Sequence, residues 1–420
     1  METVIKHKVK KTEQGTYYTL PFTVPENTDS FTVTYEYPKV SQGLTDRKSA
    51  CIIDIGIMDP EGRFVGWSGS ARKQITVGEF SSTEGYFSQP IAAGEWRIII
   101  GAYRINSDEV EVKYTVTFSQ KRIRLFYGDL HVHSTASDGK YSVSELAAMA
   151  KKKGLDFLAV ADHNNFSENF SLPRVPGLSF IPAVEWTHYK GHMNFFGVKA
   201  PFENSFIANS REDMRNLISH ARALGAVVSV NHPECSVCPY LWADDEAFDM
   251  MEIWNGPMRG ANVRAIAHWT KLLGEGRRVP AVGGSDFHRS MSPVRMGNPV
   301  NGVYSESASS QNLLNAVKNG HLFVSSGINA PALLITCGDK MMGDSVMADG
   351  DTVLIEISAE RLSGCSLYAV TAQGEHRVEK GAGELAVSDD SVFVYLKAVS
   401  AGGVIRAVTN PIYIKKASHE

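Results

Sequence analysis

Three stretches of the chain differ in how hydrophobic and polar residues alternate. From about residue 3 to 120, short runs with a two-residue period, such as FTVTYEY, CIIDIGIMD and VEVKYTVTF, are separated by turn residues. Alternation at every second residue is typical of strands with one buried face, so this stretch predicts an N-terminal β-sandwich. After about residue 330 the alternation returns in TVLIEISA and SVFVYLKAVS, which predicts a small C-terminal β-sandwich.

The middle stretch, from about residue 125 to 327, alternates strand patterns with helical patterns. Its predicted helices include SVSELAAMAKKKG, SREDMRNLISHARALG and NVRAIAHWTKLLGEG. The first has a capping box at Ser142 and Glu145, and Gly154 stands at its end. Strands that alternate with helices predict an α/β domain with a parallel sheet or barrel. The predicted domains are therefore residues 1–122, 123–330 and 331–420.

Composition narrows the class of protein. A chain of 420 residues with 43% hydrophobic content can fill two or three folded cores. The polar, basic start, the lack of a long apolar stretch and five scattered cysteines predict a cytoplasmic protein without a disulfide framework. A formal charge of −4 does not indicate a polyanion partner, so we expect a small-molecule substrate and neither nucleic acid nor membrane. The flanking β-domains are expected to cover the middle domain or mediate assembly, and homo-oligomer formation is left open.

Residues able to bind metal cluster at the ends of the strands predicted in the middle stretch. In (β/α) barrels the carboxyl ends of all strands meet on one face, so these residues are expected to lie together. They are His131, His133, Asp162, His163, Glu185, His232, Glu252, Asn255, Asp286 and His288. His192 opens the strand HMNFFGV and reaches the same face if the chain turns back there. Burying so many charged groups without partners would destabilise a core, so their clustering predicts a functional site.

The spacing of these residues favours metal ions over metal-free acid and base chemistry. In His131-x-His133 the intervening valine points to the opposite side of an extended strand, so both imidazoles face the same way. Imidazoles combined with carboxylates suit zinc, manganese or iron. Cys235 and Cys238 form one CxxC pair without a second pair, which disfavours a structural zinc site or a redox role there.

Six separated motifs carry a family resemblance. HVHSTASDG, VADH, the isolated Glu185, GHMN, NHP and GSDFH, in this order and spacing, resemble the motifs of the PHP (polymerase and histidinol phosphatase) superfamily. EIWNG, NGHLFVSSG and the β-rich N-terminal region resemble its CehA/McbA-like branch of predicted metal-dependent phosphoesterases. The motifs span roughly residues 127 to 327, about half of the chain.

The resemblance implies a distorted (β/α)7 barrel with two or three divalent ions (manganese, zinc or iron) at its carboxyl face. It assigns His131, His133, Glu185 and Asp286 to the first ion. Glu185 would bridge to a second ion, which His192 and His232 complete. A third ion would use Asp138, His163 and His288. Two positions depart from the pattern: some relatives have histidine near Asp138, and relatives more often have arginine at the position of His321.

The expected mechanism follows from metal chemistry. A hydroxide that bridges the first two ions would be the nucleophile, because coordination lowers the pKa of water from about 16 to near 7. The leaving oxygen then needs a cation or a proton, from a third ion or from His288 acting as an acid. Asp138, His163 and His288 are therefore the candidate catalytic residues. Asp162 is expected to orient a neighbouring ligand rather than bind metal itself.

Substrate contacts are predicted near the same motifs. The candidates are Asn194, Asn255, Arg289 and Arg295, because arginine beside a metal centre favours phosphate or carboxylate; Arg259 follows EIWNG. Each arginine is equally compatible with an ordinary loop.

Three functions remain open from the sequence. The preferred one is a phosphoesterase acting on a small phosphomonoester or phosphodiester. The second is a carbamate, ester or amide hydrolase with the same metal centre, and the third is a sugar-binding protein with an inactive barrel. Arginines that line the cleft would favour phosphate, whereas an apolar pocket would favour the acyl substrate.

Overall fold

The structure is a computed structural model, and the chain forms two compact units, Met1–Arg122 and Ile123–Glu420. The residues that it describes are 1–38, 50–202, 206–242, 248–290, 293–387 and 393–416.

The first unit consists of strands that form two antiparallel sheets of four, in the orders β1-β8-β3-β6 and β2-β7-β4-β5. The strands are β1 (Glu2–Lys10), β2 (Tyr17–Val24), β3 (Thr28–Glu36), β4 (Ile52–Met58), β5 (Phe64–Gly69), β6 (Gln74–Gly78), β7 (Gly94–Arg104) and β8 (Glu109–Gln120), with a 3-10 helix at Lys11–Glu13. Alternate residues of β8, such as Val112, Tyr114 and Val116, are buried. Phe31 of one sheet and Trp96 of the other have ring centroids 5.0 Å apart, so the two sheets share a core.

The second unit begins with strands and helices in alternation. In chain order these are β9 (Arg124–Val132), α1 (Val143–Lys152), β10 (Phe157–Val160), a 3-10 helix (Ser167–Phe170), β11 (Ser179–Phe180), β12 (Ala183–His188), β13 (Gly191–Phe196), α2 (Arg211–Ala223), β14 (Val227–Val230), β15 (Met250–Asn255), α3 (Gly260–Gly274), β16 (Ala281–Gly284), β17 (Val300–Ser305), α4 (Ser310–Lys318) and β18 (Leu322–Ser325). The predicted capping box of α1 is confirmed: Ser142 Oγ accepts from Glu145 N, and Glu145 Oε2 accepts from Ser142 N at 2.8 Å.

Two sheets meet around the predicted site. One has the order β12-β13-β14-β15-β16, and the other contains β11-β10-β9-β17-β18. β12 and β13 form an antiparallel hairpin, so His192 at the start of β13 lies beside Thr187 near the end of β12. This is the turn back that the sequence required for His192 to reach the strand ends.

The expected barrel is not closed. Among the described strands the two sheets are joined only by isolated bridges, Val132 to Phe287 at one seam and His163 to Glu185 at the other. The ladders stop there because the backbone leaves the extended conformation: Asn164 has φ 50° and Asp286 has φ 56°. The prediction of a mixed α/β fold is confirmed. The described strands do not form a closed (β/α)7 barrel.

The remaining strands extend the same unit. They are β19 (Ala332–Cys337), β20 (Lys340–Met341), β21 (Ser345–Ala348), β22 (Thr352–Glu360), β23 (Cys365–Thr371), β24 (Gly374–Val378), β25 (Gly381–Ala386), β26 (Phe393–Ser400), β27 (Ile405–Thr409) and β28 (Ile412–Lys416). β27 pairs with β18, so the sheet that contains β9 continues through β27, β26, β23 and β24, with β28 and β21 paired beside it. The other four strands form a separate sheet in the order β20-β19-β22-β25. The predicted domain boundaries, including the one at residue 330, stay predictions. Across the described residues, no helix has the length and apolar character needed to cross a membrane.

Candidate metal centre

The seam between β9 and β16 brings the first group of predicted ligands together. Asp286 N donates to His131 O at 2.8 Å, and His133 N donates to Phe287 O at 3.0 Å, which fixes the two chain segments side by side. His133 Nε2 lies 3.1 Å from Asp286 Oδ1, and His131 Nε2 lies 3.7 Å from the same oxygen. The one-residue spacing of the two histidines therefore places both imidazoles at one carboxylate.

Glu185, in the middle of β12, is the centre of the cluster. Its side chain is 1% exposed, and Asn231 Nδ2 donates to its Oε1 at 2.9 Å. Five imidazoles surround its two oxygens, with the nearest nitrogens at 3.4 Å (His131), 3.7 Å (His133), 2.7 Å (His163), 3.1 Å (His192) and 3.4 Å (His232). One buried carboxylate is thus shared by histidines from three strand ends (β9, β10 and β14) and one strand start (β13).

A third group lies on the more exposed side of the cluster. Asp138 Oδ1 is 3.2 Å from His288 Nε2 and 3.7 Å from His163 Nε2, and the Asp138 side chain is 59% exposed. His133 belongs to this group as well, since its ligand atom lies within 4.8 Å of those of the other three. Asp138, the position that departs from the family pattern, therefore lies where it could act as a ligand.

Carboxylates and amides behind the cluster orient its members. Glu252 Oε1 lies 3.0 Å from His131 Nδ1, and Glu252 Oε2 accepts from His232 N at 2.9 Å. Asp162 accepts from Ser134 N at 2.7 Å and from Ser137 Oγ at 2.7 Å, so it holds the loop that carries Asp138. Partners of this kind fix the orientation of metal-binding side chains.

Glycine allows the strands to approach each other here. A side chain at Gly284, the last residue of β16, would place its Cβ 2.3 Å from His131 Cβ and 2.4 Å from Glu252 Oε1. The GGSDFH sequence thus permits the close packing of His131 against its orienting carboxylate.

Burial and neighbouring charges act in opposite directions on the pKa values of this cluster. Burial lowers the pKa of His131, but the carboxylates of Glu185, Glu252 and Asp286 raise it well above its ordinary value. Burial raises the pKa of Glu185, but His131 and its neighbours hold it well below the usual range. For His133, burial dominates and lowers the pKa. The ionised carboxylates therefore attract positive charge, which protons or metal ions can supply.

The donor set fits divalent metal ions. His131 Nε2 and His133 Nδ1 are buried and have no hydrogen-bond partner among the described residues. His131 Nδ1 is occupied by Glu252, so Nε2 faces Glu185 at 3.4 Å and Asp286 at 3.7 Å. Metal–nitrogen and metal–oxygen bonds of about 2 Å at a tetrahedral angle separate two ligand atoms by about 3.4 Å. The buried, unpaired nitrogen and its distances therefore match a metal ligand.

Strained backbone supports the same assignment. His232 has φ 29° and Asp286 has φ 56°, a region that side chains other than glycine rarely adopt. Such strain tends to occur at functional sites, where the surrounding structure maintains it. His232 Nε2 lies 3.4 Å from Glu185 Oε1 and Asp286 Oδ1 lies 3.1 Å from His133 Nε2, so both strained residues contribute to the cluster.

A family comparison identifies the segment that carries most of this centre. The model of the PHP domain matches residues 129–229. Residues 129–229 belong to the PHP domain family. The matched segment contains His131, His133, Asp138, His163, Glu185 and His192, and the remaining predicted ligands follow it in the chain. The match does not distinguish the CehA/McbA-like branch, which stays a prediction.

Individual relatives are more distant or match only short segments. The DNA polymerase/3'-5' exonuclease PolX of Bacillus subtilis (strain 168) is 38% identical over 63 residues, which are 15% of this chain and 11% of the polymerase. A two-domain protein from Bacteroides vulgatus ATCC 8482, described as containing a predicted PHP-like metal-dependent phosphoesterase, is 14% identical. Its alignment covers 69% of this chain and 96% of that one, with a TM-score of 0.41.

A second solved structure, an amidohydrolase from Chromobacterium violaceum with bound sulfate and no metal, is 15% identical. The alignment covers 40% of this chain and 89% of that one, with a TM-score of 0.28. Both TM-scores are below 0.5, so the family assignment rests on the PHP domain model.

Of the four predicted substrate contacts, the two asparagines are buried and the two arginines are exposed. Asn255 is buried, and its Nδ2 lies 3.2 Å from Glu252 Oε2 and 3.4 Å from Asp286 Oδ2. Asn194 pairs with Glu185 across the β12–β13 hairpin and is also buried. Arg289 and Arg295 are exposed, and Arg295 Nη1 donates to Ser290 O at 2.8 Å.

Sequence reasoning missed several contributors to the centre. The sequence pattern puts Glu252 at a strand end without indicating a role for it, and nothing in the NHP motif marks Asn231, the residue before His232, as a contact of Glu185. Arg259, which the sequence already places near the metal motifs because it follows EIWNG, donates from Nη2 to Asn255 Oδ1 at 3.1 Å, which connects it to Asp286. His321, the other departure from the family pattern, lies 2.9 Å from Asp344. Its imidazole therefore serves an intramolecular contact.

Proposed function

We propose that the protein is a metal-dependent phosphoesterase that acts on a small phosphomonoester or phosphodiester. The observation that carries this proposal is the convergence of five imidazoles on the buried carboxylate of Glu185. The membership of this segment in the PHP family supports it. The ring of strands that surrounds Glu185 is interpreted as a distorted (β/α)7 PHP barrel whose two seams are opened, and the two packed sheets of the first unit as a β-sandwich.

The proposed centre holds two or three divalent ions of manganese, zinc or iron. The first would be held by His131, His133, Glu185 and Asp286. The second would be held by Glu185, His192 and His232. Asp138, His163 and His288 would hold a third. Divalent ions in this centre lower the pKa of water and stabilise negative charge on a phosphoryl oxygen.

Residues of the chain itself position the substrate and protons. Asp138 lies between His163 and His288 on the exposed side, and in this proposal the three residues would meet the leaving group and hold a proton there. Asn255 lies between Asp286 and Arg259, and the guanidinium of Arg259 would bind a phosphoryl oxygen beside the centre. Arg289, Arg295 and Asn194 remain proposed substrate contacts.

An acyl substrate is the second candidate. Tyr189, at the turn of the β12–β13 hairpin that leads to His192, is fully exposed, and Val237 and Leu241 are exposed in the segment that contacts this hairpin. This apolar rim beside the centre would suit the apolar part of a carbamate, ester or amide. A sugar-binding protein with an inactive barrel is the weakest candidate, because every ligand position of the centre carries a metal-competent residue.

Hydrolysis assays separate these candidates. Manganese-loaded full-length protein is incubated with a panel of phosphate esters and with a panel of carbamates and carboxyl esters. We expect phosphate release by the wild type, loss of that activity in His131→Ala, and no change in His220→Ala, which removes an exposed histidine of α2. Cleavage of the acyl panel alone would replace the phosphoesterase proposal by the acyl hydrolase, and inactivity on both panels would contradict both enzyme proposals.

Arg259 provides a test of phosphate recognition. Arg259→Gln should raise KM for the best phosphate ester about 10- to 100-fold, because one charge-assisted hydrogen bond contributes about 1.5–3 kcal/mol. Lys271→Gln, which removes a positive charge from the exposed side of α3, should leave KM unchanged. Equal KM values in both variants would show that Arg259 does not contact the phosphate.

A further inference from the structure

The CxxC pair that the proposed function leaves unused lies next to the centre. Cys235 and Cys238 are free and half-buried, and their sulfur atoms are 3.3 Å apart. Cys238 Sγ also lies 3.7 Å from His232 Nδ1. The dithiol is therefore in direct contact with a proposed metal ligand.

The loop that carries the pair is held at several points. Cys235 N donates to His232 O at 2.9 Å, and Tyr240 N donates to Pro233 O at 2.9 Å. Glu234 lies 3.0 Å from His268 of α3. Between the two cysteines, Val237 is 89% exposed. The loop thus fixes the position of Cys238 while a small solute can reach the pair from solvent.

The orientation of the His232 ring indicates whether Cys238 binds the ion or supports the histidine. His232 Nε2 points to Glu185 Oε1 at 3.4 Å, where His192 Nδ1 also lies at 3.1 Å. An ion held by these residues would therefore lie on the Nε2 side of the ring, opposite the Nδ1 atom that faces Cys238. The geometry indicates that Cys238 supports the histidine from behind, as Glu252 supports His131, and does not bind the ion directly.

We propose that Cys235 and Cys238 are a redox modification site that controls metal binding at His192 and His232, an inference that rests on the proposed metal-dependent function. In the dithiol state His232 Nδ1–H donates to Cys238 Sγ, and the Cys238 thiol donates to Cys235 Sγ. This chain of contacts holds the His232 ring with Nε2 directed at Glu185.

Disulfide formation removes that support. A low-molecular-weight disulfide is the oxidant: one cysteine attacks it and releases one thiol, and the second cysteine attacks the mixed disulfide and releases the other. Two protons and two electrons pass from the cysteines to the oxidant, and a Cys235–Cys238 bond forms. A disulfide bond is about 2 Å long, so the sulfur atoms, now 3.3 Å apart, approach by about 1 Å. Cys238 then turns towards Cys235, and His232 loses its partner.

Manganese binding to the full-length protein tests this proposal. Manganese prefers oxygen and imidazole ligands to thiolate, so loss of thiols does not by itself remove a ligand. After treatment with oxidised glutathione, mass mapping should find the Cys235–Cys238 bond, and one manganese ion should bind 10- to 100-fold more weakly, as when a ligand loses its orienting partner. Dithiothreitol should restore the affinity.

Four variants provide matched controls. Cys235→Ser keeps the contact between Cys238 and His232 and should bind manganese as the reduced wild type does in dithiothreitol; in oxidised glutathione it cannot form the intramolecular disulfide. Cys238→Ala should bind one ion more weakly in both conditions, and Cys238→Ser, whose hydroxyl can accept from Nδ1–H, should recover part of the loss. Cys365→Ser, a substitution in β23, should behave as the wild type. Circular dichroism verifies that each variant is folded.

Several results would overturn the proposal. The proposal would be wrong if the disulfide does not form, or if it forms and the affinity for manganese does not change. A sulfur-to-cobalt charge-transfer band in the reduced, cobalt-loaded wild type that is absent from Cys238→Ser would show direct ligation and would contradict the supporting role. If the protein hydrolyses a substrate but its metal affinity does not depend on the redox state, only this inference is wrong. If its metal affinity depends on the redox state but neither panel is hydrolysed, only the proposed function is wrong.

Discussion

Glu185→Gln is expected to reduce metal affinity at least about 100-fold and to abolish hydrolysis. Even residues that only orient metal ligands change affinity 10- to 100-fold, and Glu185 lies within 3.7 Å of five imidazoles. Glutamine keeps the size of the side chain and one oxygen that can accept from Asn231, but it removes the negative charge. Metal content by elemental analysis, followed by the hydrolysis assay, measures both effects.

A matched control separates the loss of charge from general effects. Glu212→Gln removes one carboxylate from the exposed first turn of α2 and should retain metal content and activity. Circular dichroism should show that Glu185→Gln is folded, because removal of one partner from a buried charged group can destabilise a protein by about 3–5 kcal/mol. A folded Glu185→Gln protein with the metal content of the wild type would contradict the assignment of Glu185 as the shared ligand.

The strand ends were predictable because they depend on local sequence. Apolar runs that lead to His131, Glu185 or Asp286 predict buried strands whose carboxyl ends meet, although β12 continues past Glu185 to His188. The helix start at Ser142 was equally predictable, since its capping box lies within four residues. The convergence of these residues therefore followed from short stretches of sequence and one rule of topology.

Whether the strands close into a barrel was not predictable from the same patterns. Whether the ladders at β9 and β12 continue depends on the backbone conformation of Asn164 and Asp286, which hydrophobic periodicity does not encode. The result is a pair of sheets connected by single bridges instead of a continuous barrel. Both seams pass beside the proposed ligands, so the break in regular pairing coincides with the centre.

Side-chain partners across the chain were also beyond the sequence patterns. Glu252 is 121 positions from His131, and Arg259 reaches the centre only through Asn255. A single CxxC pair without a second pair does not by itself indicate a functional site. Its contact with His232 depends on the turn between residues 232 and 238, and the spacing of the cysteines alone does not reveal that turn.

Metal loading should stabilise the protein, and the gain should grow as the pH rises. An ion present at about 1,000 times its dissociation constant adds about 4 kcal/mol to the free energy of unfolding. We therefore expect the unfolding transition of the unit that contains the centre to move upward on addition of manganese and to return on addition of a chelator. Thermal unfolding followed by circular dichroism, at about pH 6 and about pH 8, measures the shift on either side of the ordinary histidine pKa.

The direction of the pH dependence follows from the metal-free protein. Against the effect of burial, carboxylates raise the pKa of His131 and the contacts with Cys238 and Glu185 raise the pKa of His232, both well above 6.5. The stability that their protonation contributes is therefore fully present below about pH 6.5. That contribution is lost as the pH rises through the raised values. Glu185 has a lowered pKa, and the stability from its ionisation is lost only below about pH 4.5.

Bound ions replace the protons of these histidines, because imidazole must be deprotonated to bind metal. The metal-free protein should therefore lose stability between about pH 6 and pH 8, whereas the loaded protein should not, and metal binding should release protons into the buffer. His131→Ala should show a smaller gain on loading, because it lacks one ligand of the first ion. Equal unfolding temperatures with and without manganese at both pH values would contradict a metal centre built around Glu185.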